Sequence, residues 1–133
     1  IYEASVQNPS VLTRVGSAHE GRVLIGQVQY AADDRVVYTA DVRQSGVYEI
    51  FVGENRESQR LNADLGTSVF TNSAGLAFKL SSDLTSLAYA QPATAAAPTD
   101  LYLIDVTTPG LPLKIGENVA VGSFNDLAYA ILN

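Results

Sequence analysis

The sequence contains no cysteine, no methionine and no tryptophan, and its only lysines are Lys79 and Lys114. Without cysteine, the chain can form neither a disulfide framework nor a thiolate metal site. A formal net charge of −6 argues against a nucleic-acid-binding surface, which normally shows a basic patch or stripe. No apolar run has the length that a helix needs to cross a bilayer.

Sequence signatures of catalysis are also missing. There is no Gly-x-Ser-x-Gly elbow, no His-Glu-x-x-His and no Walker loop. His19 is the only histidine and lies in a turn-rich segment, which favours a solvent-exposed loop residue over a base or a metal ligand. We therefore expect a chain that is not an enzyme and holds no cofactor or metal.

Few features of the sequence bear on cellular location. There is no signal peptide, and the chain begins at Ile1 without a methionine, from which we expect processing or excision upstream. Pro9 disqualifies the only Asn-x-Ser/Thr triplet, at Asn8, as a glycosylation sequon. The location stays open, and a periplasmic or extracellular one is favoured.

What the chain does have is internal repetition. Its composition, 47% hydrophobic and 17% charged, argues against a disordered segment. Residues 28–52 and 78–106 share the same order of an apolar strand, a short polar turn, a second strand with a tyrosine, a loop and a third strand. Tyr38 and Tyr89 are 51 residues apart, whereas Tyr48 and Tyr102 are 54 apart. We assign the three extra residues largely to the loop at 92–99, because loops absorb insertions.

Short β-branched and aromatic runs between turn signals, without helix-period stretches, predict an all-β fold. The first repeat unit is predicted to have strands at 24–30, 35–41, 47–53 and 58–61. The second is predicted to have strands at 75–80, 86–91, 100–106 and 113–115.

The two ends of the chain match halves of the same template. Residues 119–124 and 127–132 correspond to a first and a second strand, and "LAYAIL" at 127–132 matches "LAYAQ" at 87–91. Residues 1–6 and 11–16 correspond to a third and a fourth strand. The prediction is a single segment with two complete units of four antiparallel strands, at 23–65 and 69–116, and a third unit split between 1–16 and 119–133.

Four-stranded units with a period of about 45 to 50 residues are typical of β-propeller blades. The Asp-containing turn, "LAYA", "DLYLIDV" and "PLKIG" resemble the TolB-like six-bladed β-propeller family, most closely at 78–116. Blades of that family read as a Ser-Pro-Asp-Gly turn, an Ala-Tyr strand and a Leu-Tyr strand. Ser82 and Asp83 keep part of that turn, whereas Ala32 and Asp33 lack its Ser-Pro. The resemblance implies propeller blades and leaves the ligand open.

Three blades do not close a ring, and an open array exposes strand edges that invite pairing with another chain. Two outcomes are open: the chain is a fragment of a longer propeller, or two copies form a ring of about six blades by C2 symmetry. In the second outcome, a strand from each end of the chain closes the ring between copies. The residues on these closing strands are Tyr2, Ala4, Val6, Leu127, Tyr129 and Ile131.

Three sets of side chains have both a functional and a structural interpretation. Aspartates in the turns (Asp33, Asp34, Asp83 and Asp126) fit backbone capping better than calcium binding, because the spacing of a calcium loop is missing. Tyrosines that recur in each unit (Tyr2, Tyr38, Tyr48, Tyr89, Tyr102 and Tyr129) fit packing between units better than a ligand groove. The arginines Arg43, Arg56 and Arg60 fit cross-strand pairing with Glu49, Glu54 and Glu57 better than an anion patch.

Three functions are compatible with these observations. The leading hypothesis is a non-catalytic binding or scaffold module that engages a protein or a glycan, a hypothesis that rests on analogy of fold. The second is the propeller of a larger enzyme, such as a prolyl-oligopeptidase-type peptidase, with its catalytic residues in another domain. The third is a purely structural repeat in a surface array. A nucleic-acid partner and membrane insertion are not expected.

Overall fold

The computed structural model describes residues 2–4, 12–14, 25–69 and 77–119, and all regular structure within them is β. None of these residues forms a helix, so none provides a helical segment able to cross a membrane. The strands in chain order are β1 (Tyr2–Ala4), β2 (Leu12–Arg14), β3 (Ile25–Tyr30), β4 (Val36–Ala40), β5 (Glu49–Glu54), β6 (Glu57–Arg60), β7 (Phe78–Leu80), β8 (Ser86–Pro92), β9 (Thr99–Asp105) and β10 (Leu113–Gly116).

Eight of these strands form two antiparallel sheets of four. Sheet I has the order β3-β4-β5-β6, and sheet II has the order β7-β8-β9-β10, so each strand pairs with its neighbours in sequence. The two predicted four-stranded units are therefore confirmed as sheets, with small shifts at the strand ends. β1 pairs with β2 antiparallel, as the predicted third and fourth strands should. The predicted strand at 127–132 and nearly all of that at 119–124 lie outside the described residues.

Tight turns set the register within sheet I. Asn55 and Arg56 form the two-residue connection between β5 and β6, and their φ angles are 49° and 73°. Positive φ at both central positions defines the type I′ turn, whose twist matches that of paired strands. Asp33 and Asp34, between β3 and β4, also have positive φ, at 58° and 57°, a conformation for which aspartate is enriched.

Each sheet has two chemically different faces, because successive side chains of a strand point to opposite sides. One face, called here the aromatic face, has a stacked pair of rings: Tyr38 with Phe51 in sheet I and Tyr89 with Tyr102 in sheet II. The opposite, aliphatic face has Val37, Ile50 and Val52 in sheet I, and Ala88, Ala90 and Leu101 in sheet II.

The two sheets stack in the same sense. The main core joins the aliphatic face of sheet I to the aromatic face of sheet II. Val37, Ile50 and Tyr89 in this core are all completely buried. Each fully buried aliphatic side chain of this size contributes about 1.5 to 3 kcal/mol, so this contact is a major source of stability.

The pairing register corrects the sequence alignment of the two units. Tyr38 pairs with Phe51 across sheet I, and Tyr89 pairs with Tyr102 across sheet II. Phe51 and Tyr102 are therefore equivalent, and they are separated by as many residues as Tyr38 and Tyr89. The predicted equivalence of Tyr48 and Tyr102, with extra residues in the loop at 92–99, is wrong. Tyr48 precedes β5 and packs on the edge of the core.

Candidate interaction surfaces

The first strands of the two sheets are linked by Gln27. Its side-chain Oε1 accepts hydrogen bonds from the backbone N–H of Ala77 at 2.7 Å and of Phe78 at 3.2 Å, and its Nε2 donates to the Phe78 carbonyl at 3.1 Å. A bulge in β3 next to Gln27 makes this possible. There, the Gln27 N–H donates to Thr39 Oγ1 at 2.9 Å, and a Cβ on Gly26 would come within 2.6 Å of the same oxygen. A larger residue at position 26 would push the Thr39 hydroxyl away from its bond with the Gln27 N–H.

A second link ties the segment after β6 to sheet II. The Ala63 N–H donates to Tyr89 Oη at 2.9 Å, and the fully buried Gln91 donates through Nε2 to the Thr67 carbonyl at 2.8 Å. Asn62, also buried, accepts the Ile50 N–H at 2.9 Å and donates to Gln91 Oε1 at 3.4 Å. These bonds satisfy polar groups that would otherwise be costly to bury.

A third link lies at the opposite end of the strands. Arg35 donates through Nη1 to the Val106 carbonyl at 2.7 Å and through Nε to Glu54 at 3.0 Å. The Ala32 N–H donates to the Leu84 carbonyl at 3.0 Å, so the β3–β4 turn of sheet I contacts the β7–β8 turn of sheet II. With three polar links around an apolar centre, the two sheets form one packed body.

Tyr38, Tyr89 and Tyr102, the tyrosines paired across the two sheets, are buried. Tyr89 and Tyr102 belong to the core between the sheets, and Tyr38 is 1% exposed on the aromatic face of sheet I. The predicted packing role is confirmed for Tyr89 and Tyr102. Burial raises the pKa of all three phenols, most strongly that of Tyr89.

Among the turn aspartates, the structure describes side-chain hydrogen bonds for Asp83, which binds one backbone N–H and two hydroxyl groups of its own turn. Asp83 Oδ1 accepts from Ser81 Oγ at 2.6 Å, from Thr85 Oγ1 at 2.8 Å and from the Thr85 N–H at 3.1 Å. The Ser81 hydroxyl is the main cause of the lowered Asp83 pKa. The predicted capping role is confirmed for Asp83, and Asp126 lies outside the described residues. No group of three or more metal-binding side chains occurs within the described ranges.

A charged cavity of about 260 Å³ opens where the β4–β5 loop meets the segment after β6. It is lined by Arg43, Gln44, Val47, Glu49, Asp64 and Gly66. The Glu49 side chain is only 3% exposed and forms ion pairs with both Arg43 and Arg60. Asp64, at the surface, contacts the same two guanidinium groups, at 2.6 and 3.0 Å.

These contacts determine the electrostatics of the cavity. Hydrogen bonds from Arg43 and then Arg60 hold the pKa of Asp64 at about 2. Glu49 is the main cause of the raised pKa of Arg43. The predicted pairing of Arg43 and Arg60 with a nearby glutamate is confirmed, and sequence reasoning missed the cavity because Asp64 and Gly66 belong to a loop without a motif.

Six large apolar side chains of the described residues are exposed, and four of them lie in two pairs. Val28 and Tyr30 on β3 are 48% and 58% exposed, while Leu111 and Leu113, before and on β10, are 97% and 63% exposed. Leu65 and Leu84 are less exposed, at 37% and 39%.

The predicted closing-strand residues fall only partly within the described chain. Tyr2 and Ala4 lie on β1, where their backbones pair with those of Arg14 and Leu12. The other residues of that set, Val6, Leu127, Tyr129 and Ile131, lie outside the described residues, as does His19. The pairing of the chain ends stays a prediction.

Comparison of the chain with protein-family models, with curated proteins and with solved structures found no match. Its function is therefore argued from its own residues and contacts.

Proposed function

We propose that the chain is a segment of a TolB-like β-propeller that acts as a non-catalytic binding or scaffold module. The observation that carries this proposal is the same-sense stacking of sheets I and II, with the aromatic face of one sheet on the aliphatic face of the next. A propeller repeats this step with four-stranded sheets around an axis. The strand register is also the same in both sheets, since Tyr38 pairs with Phe51 as Tyr89 pairs with Tyr102. A sandwich of only two sheets does not require this, whereas a repeating array does.

The side-chain links between the sheets fit the same architecture. In an array of repeats, each unit contacts only its neighbours, and stability comes from the units and their interfaces. Gln27 binds backbone groups of Phe78 in sheet II, and Arg35 binds the carbonyl of Val106, which directly follows β9, so both fix the position of the second unit on the first. A scaffold built this way presents its loops on a rigid frame, where binding residues are commonly found.

The charged cavity is the place where we propose that a ligand binds. Arg43 and Asp64 have side chains that are 47% and 57% exposed, so each keeps polar surface available to a ligand while Glu49 holds Arg43 in place. Guanidinium donors beside carboxylate acceptors can exchange hydrogen bonds with sugar hydroxyls or with polar side chains of a protein. The proposed ligand is accordingly a protein or a glycan.

Arrays of immobilised glycans and of peptides, probed with the labelled 133-residue chain, test this proposal. We expect a signal on one array that falls at least tenfold, on the order of one lost charged hydrogen bond, in the Asp64→Asn and Arg43→Gln variants. Arg56→Gln, at an exposed arginine in the β5–β6 turn, is the matched control and should bind as the parent does. Silence on both arrays, or binding unchanged in the two cavity variants, would contradict the proposal.

A further inference from the structure

The charged cavity has polar atoms that the ion pairs around Glu49 leave unused. Arg43 binds Glu49 through Nε and Nη2, and its Nη2 also contacts Asp64 Oδ1 at 2.6 Å. No described residue forms a hydrogen bond with Arg43 Nη1 or with Asp64 Oδ2. The cavity therefore offers a guanidinium donor and a carboxylate acceptor on two groups that already contact each other.

Gln44 adds a third polar group to the cavity. It is exposed, and its side-chain amide forms no hydrogen bond with another described residue. Among the described residues that line the cavity, Val47 has the only apolar side chain. Protein partners usually insert an aromatic or aliphatic anchor into an apolar pocket. The polar wall therefore favours a ligand that is itself rich in hydrogen-bonding groups.

Hydrogen bonds hold together the two segments that line the cavity. The Ser68 hydroxyl accepts the Tyr48 N–H at 3.0 Å and donates to the Gly46 carbonyl at 3.1 Å, so the chain after β6 is tied to the β4–β5 loop. The Val69 N–H donates to the Tyr48 carbonyl at 2.9 Å, and the Asp41 carboxylate accepts the Gly46 N–H at 3.1 Å. A cavity fixed in this way binds a ligand at a reduced entropic cost.

The charges around the cavity cancel. The guanidinium groups of Arg43 and Arg60 contact the carboxylates of Glu49 and Asp64, so the four groups together have no net charge. An anion bound to Arg43 would lie beside Asp64, and a cation bound to Asp64 would lie beside Arg43. In both cases repulsion offsets the attraction, and the ion also loses part of its hydration. An uncharged ligand avoids both costs.

We propose that the charged cavity binds an uncharged sugar through two neighbouring hydroxyl groups. One hydroxyl accepts from Arg43 Nη1, the adjacent hydroxyl donates to Asp64 Oδ2, and the Gln44 amide bonds to a further hydroxyl. A hydroxyl can take either role, and its bonds to charged groups are stronger than bonds between neutral groups. The inference rests on the proposed function and selects the glycan from its two ligand classes.

The size of the cavity agrees with a single sugar ring. Its volume of about 260 Å³ lies just below the range of about 300 to 1,000 Å³ that is typical for drug-sized ligands. A monosaccharide glycoside is therefore a sufficient probe.

NMR titration of the nitrogen-15-labelled 133-residue chain tests the ligand class. The probes are the methyl glycosides of glucose, galactose and mannose, with acetate and methylammonium as charged competitors. We expect at least one glycoside to shift the backbone signals of the β4–β5 loop and of residues 64–66, and neither ion to displace it at equal concentration. Binding of no glycoside, or displacement by either ion, would overturn the proposal.

Monodeoxy analogues of the bound glycoside identify the hydroxyl pair. Loss of either hydroxyl leaves a charged group of the cavity without its partner, so the dissociation constant should rise about tenfold or more at two adjacent ring positions. Unchanged binding of every monodeoxy analogue would contradict the proposed contacts.

Substitutions locate the site. Asp64→Asn should raise the dissociation constant of the glycoside about tenfold, and Gln44→Ala about fivefold, the cost of one charged and one neutral hydrogen bond. Asp34→Asn removes the same charge from the exposed β3–β4 turn, at the opposite end of the strands, and is the matched control that should bind as the parent does. Parental affinity in both cavity variants would overturn the proposal.

Folding of the variants is checked by far-ultraviolet circular dichroism. The Asp64 side chain is 57% exposed, so a single chain should tolerate its neutralisation. If Asp64→Asn unfolds, Gln44→Ala alone decides, and parental affinity in that variant overturns the proposal.

The outcomes separate the sugar from the proposed function. A signal on the peptide array that falls in the Asp64→Asn and Arg43→Gln variants, without binding of any glycoside, would retain the cavity as a ligand site and overturn the sugar. Silence on both arrays together with no binding of a glycoside would contradict both proposals.

Discussion

The side-chain amide of Gln27 in sheet I hydrogen-bonds both backbone polar groups of Phe78 in sheet II. Phe78 lies on β7, the first strand of sheet II, and among the described residues no strand pairs with the side of β7 that faces away from β8. The glutamine amide therefore acts as a peptide group from a neighbouring strand. The bulge at Gly26 brings it there, so a local irregularity in one unit fixes the position of the next.

Replacing this amide should destabilise the fold. Gln27→Leu leaves the Ala77 and Phe78 N–H groups and the Phe78 carbonyl without their partner, and we expect a loss of about 1 to 3 kcal/mol in the free energy of unfolding. Urea denaturation monitored by circular dichroism measures this loss. Gln29→Leu, at an exposed glutamine of the same strand, is the control and should cost less than about 0.5 kcal/mol. Equal effects of the two substitutions would contradict the proposed link.

Alkaline pH should unfold the protein through its buried tyrosines. Burial raises the pKa of Tyr38, Tyr89 and Tyr102 in the folded state, so the neutral phenol is favoured by folding. The resulting stability is present below the unfolded tyrosine pKa of about 10 and is lost as the pH rises through the folded values. Urea unfolding between about pH 8 and 11 measures the slope.

The contribution of Tyr89 can be isolated. Tyr89→Phe should reduce the slope of stability against alkaline pH, and it should cost about 1 kcal/mol near neutral pH because the Ala63 N–H loses its acceptor. Tyrosinate absorbance of the folded protein, compared with that of the urea-unfolded protein, gives the titration directly. Coincident folded and unfolded titration curves would contradict this account.

Sequence patterns predicted most of the secondary structure. The strands of both sheets follow short apolar runs that alternate in burial or are bounded by turn residues, and these are local signals. The alignment failed at the third strand of each unit. "VYEIFV" and "LYLIDV" match at their tyrosines, but backbone pairing places Phe51, not Tyr48, opposite the second-strand tyrosine. The register of a strand depends on its pairing with the neighbouring strand, and sequence similarity between the two units does not show that pairing.

Long-range polar contacts could not be predicted from the sequence. Gln27 bonds to a residue in the other unit, and nothing in "IGQVQY" distinguishes it from Gln29. Arg43 and Glu49 lie close in sequence, so their pairing could be predicted, whereas the participation of Asp64 depends on where the segment after β6 folds back.

Arg43 and Arg60 should each be able to serve alone as the ionic partner of Glu49. Arg43→Gln or Arg60→Gln alone leaves Glu49 with one ionic partner, so each single variant should lose little stability. The double variant leaves a buried carboxylate without a cation and should lose about 3 kcal/mol. A double-mutant cycle from urea unfolding gives the coupling. Strict additivity of the two substitutions would show that the arginines act independently.

Asp105 should titrate well below an ordinary aspartate. Its carboxylate accepts bonds from the Thr107 hydroxyl at 2.6 Å and from the Thr107 and Thr108 N–H groups, and these hold its pKa at about 2. The stability that it contributes is present above the unfolded pKa of about 4 and is lost as the pH falls through 2.

Carbon-detected NMR titration of the Asp105 carboxyl checks this value. Thr107→Val removes the hydroxyl, which is the largest cause of the shift, and should raise the pKa of Asp105. Thr94→Val, in the β8–β9 loop, is the matched control and should leave it unchanged. A pKa near 4 in the parent protein would show that the turn does not stabilise the carboxylate.

The aliphatic face of sheet I packs on the aromatic face of sheet II, as we propose for successive units of one repeating array. Nuclear Overhauser effects between aromatic rings and methyl groups test it most directly. We expect effects that join the ring of Tyr89 or Tyr102 to methyl groups of Val37, Ile50 or Val52 in the shared core. Effects that instead join the Tyr38 ring to methyl groups of sheet II, with Tyr89 remote from sheet I, would contradict it.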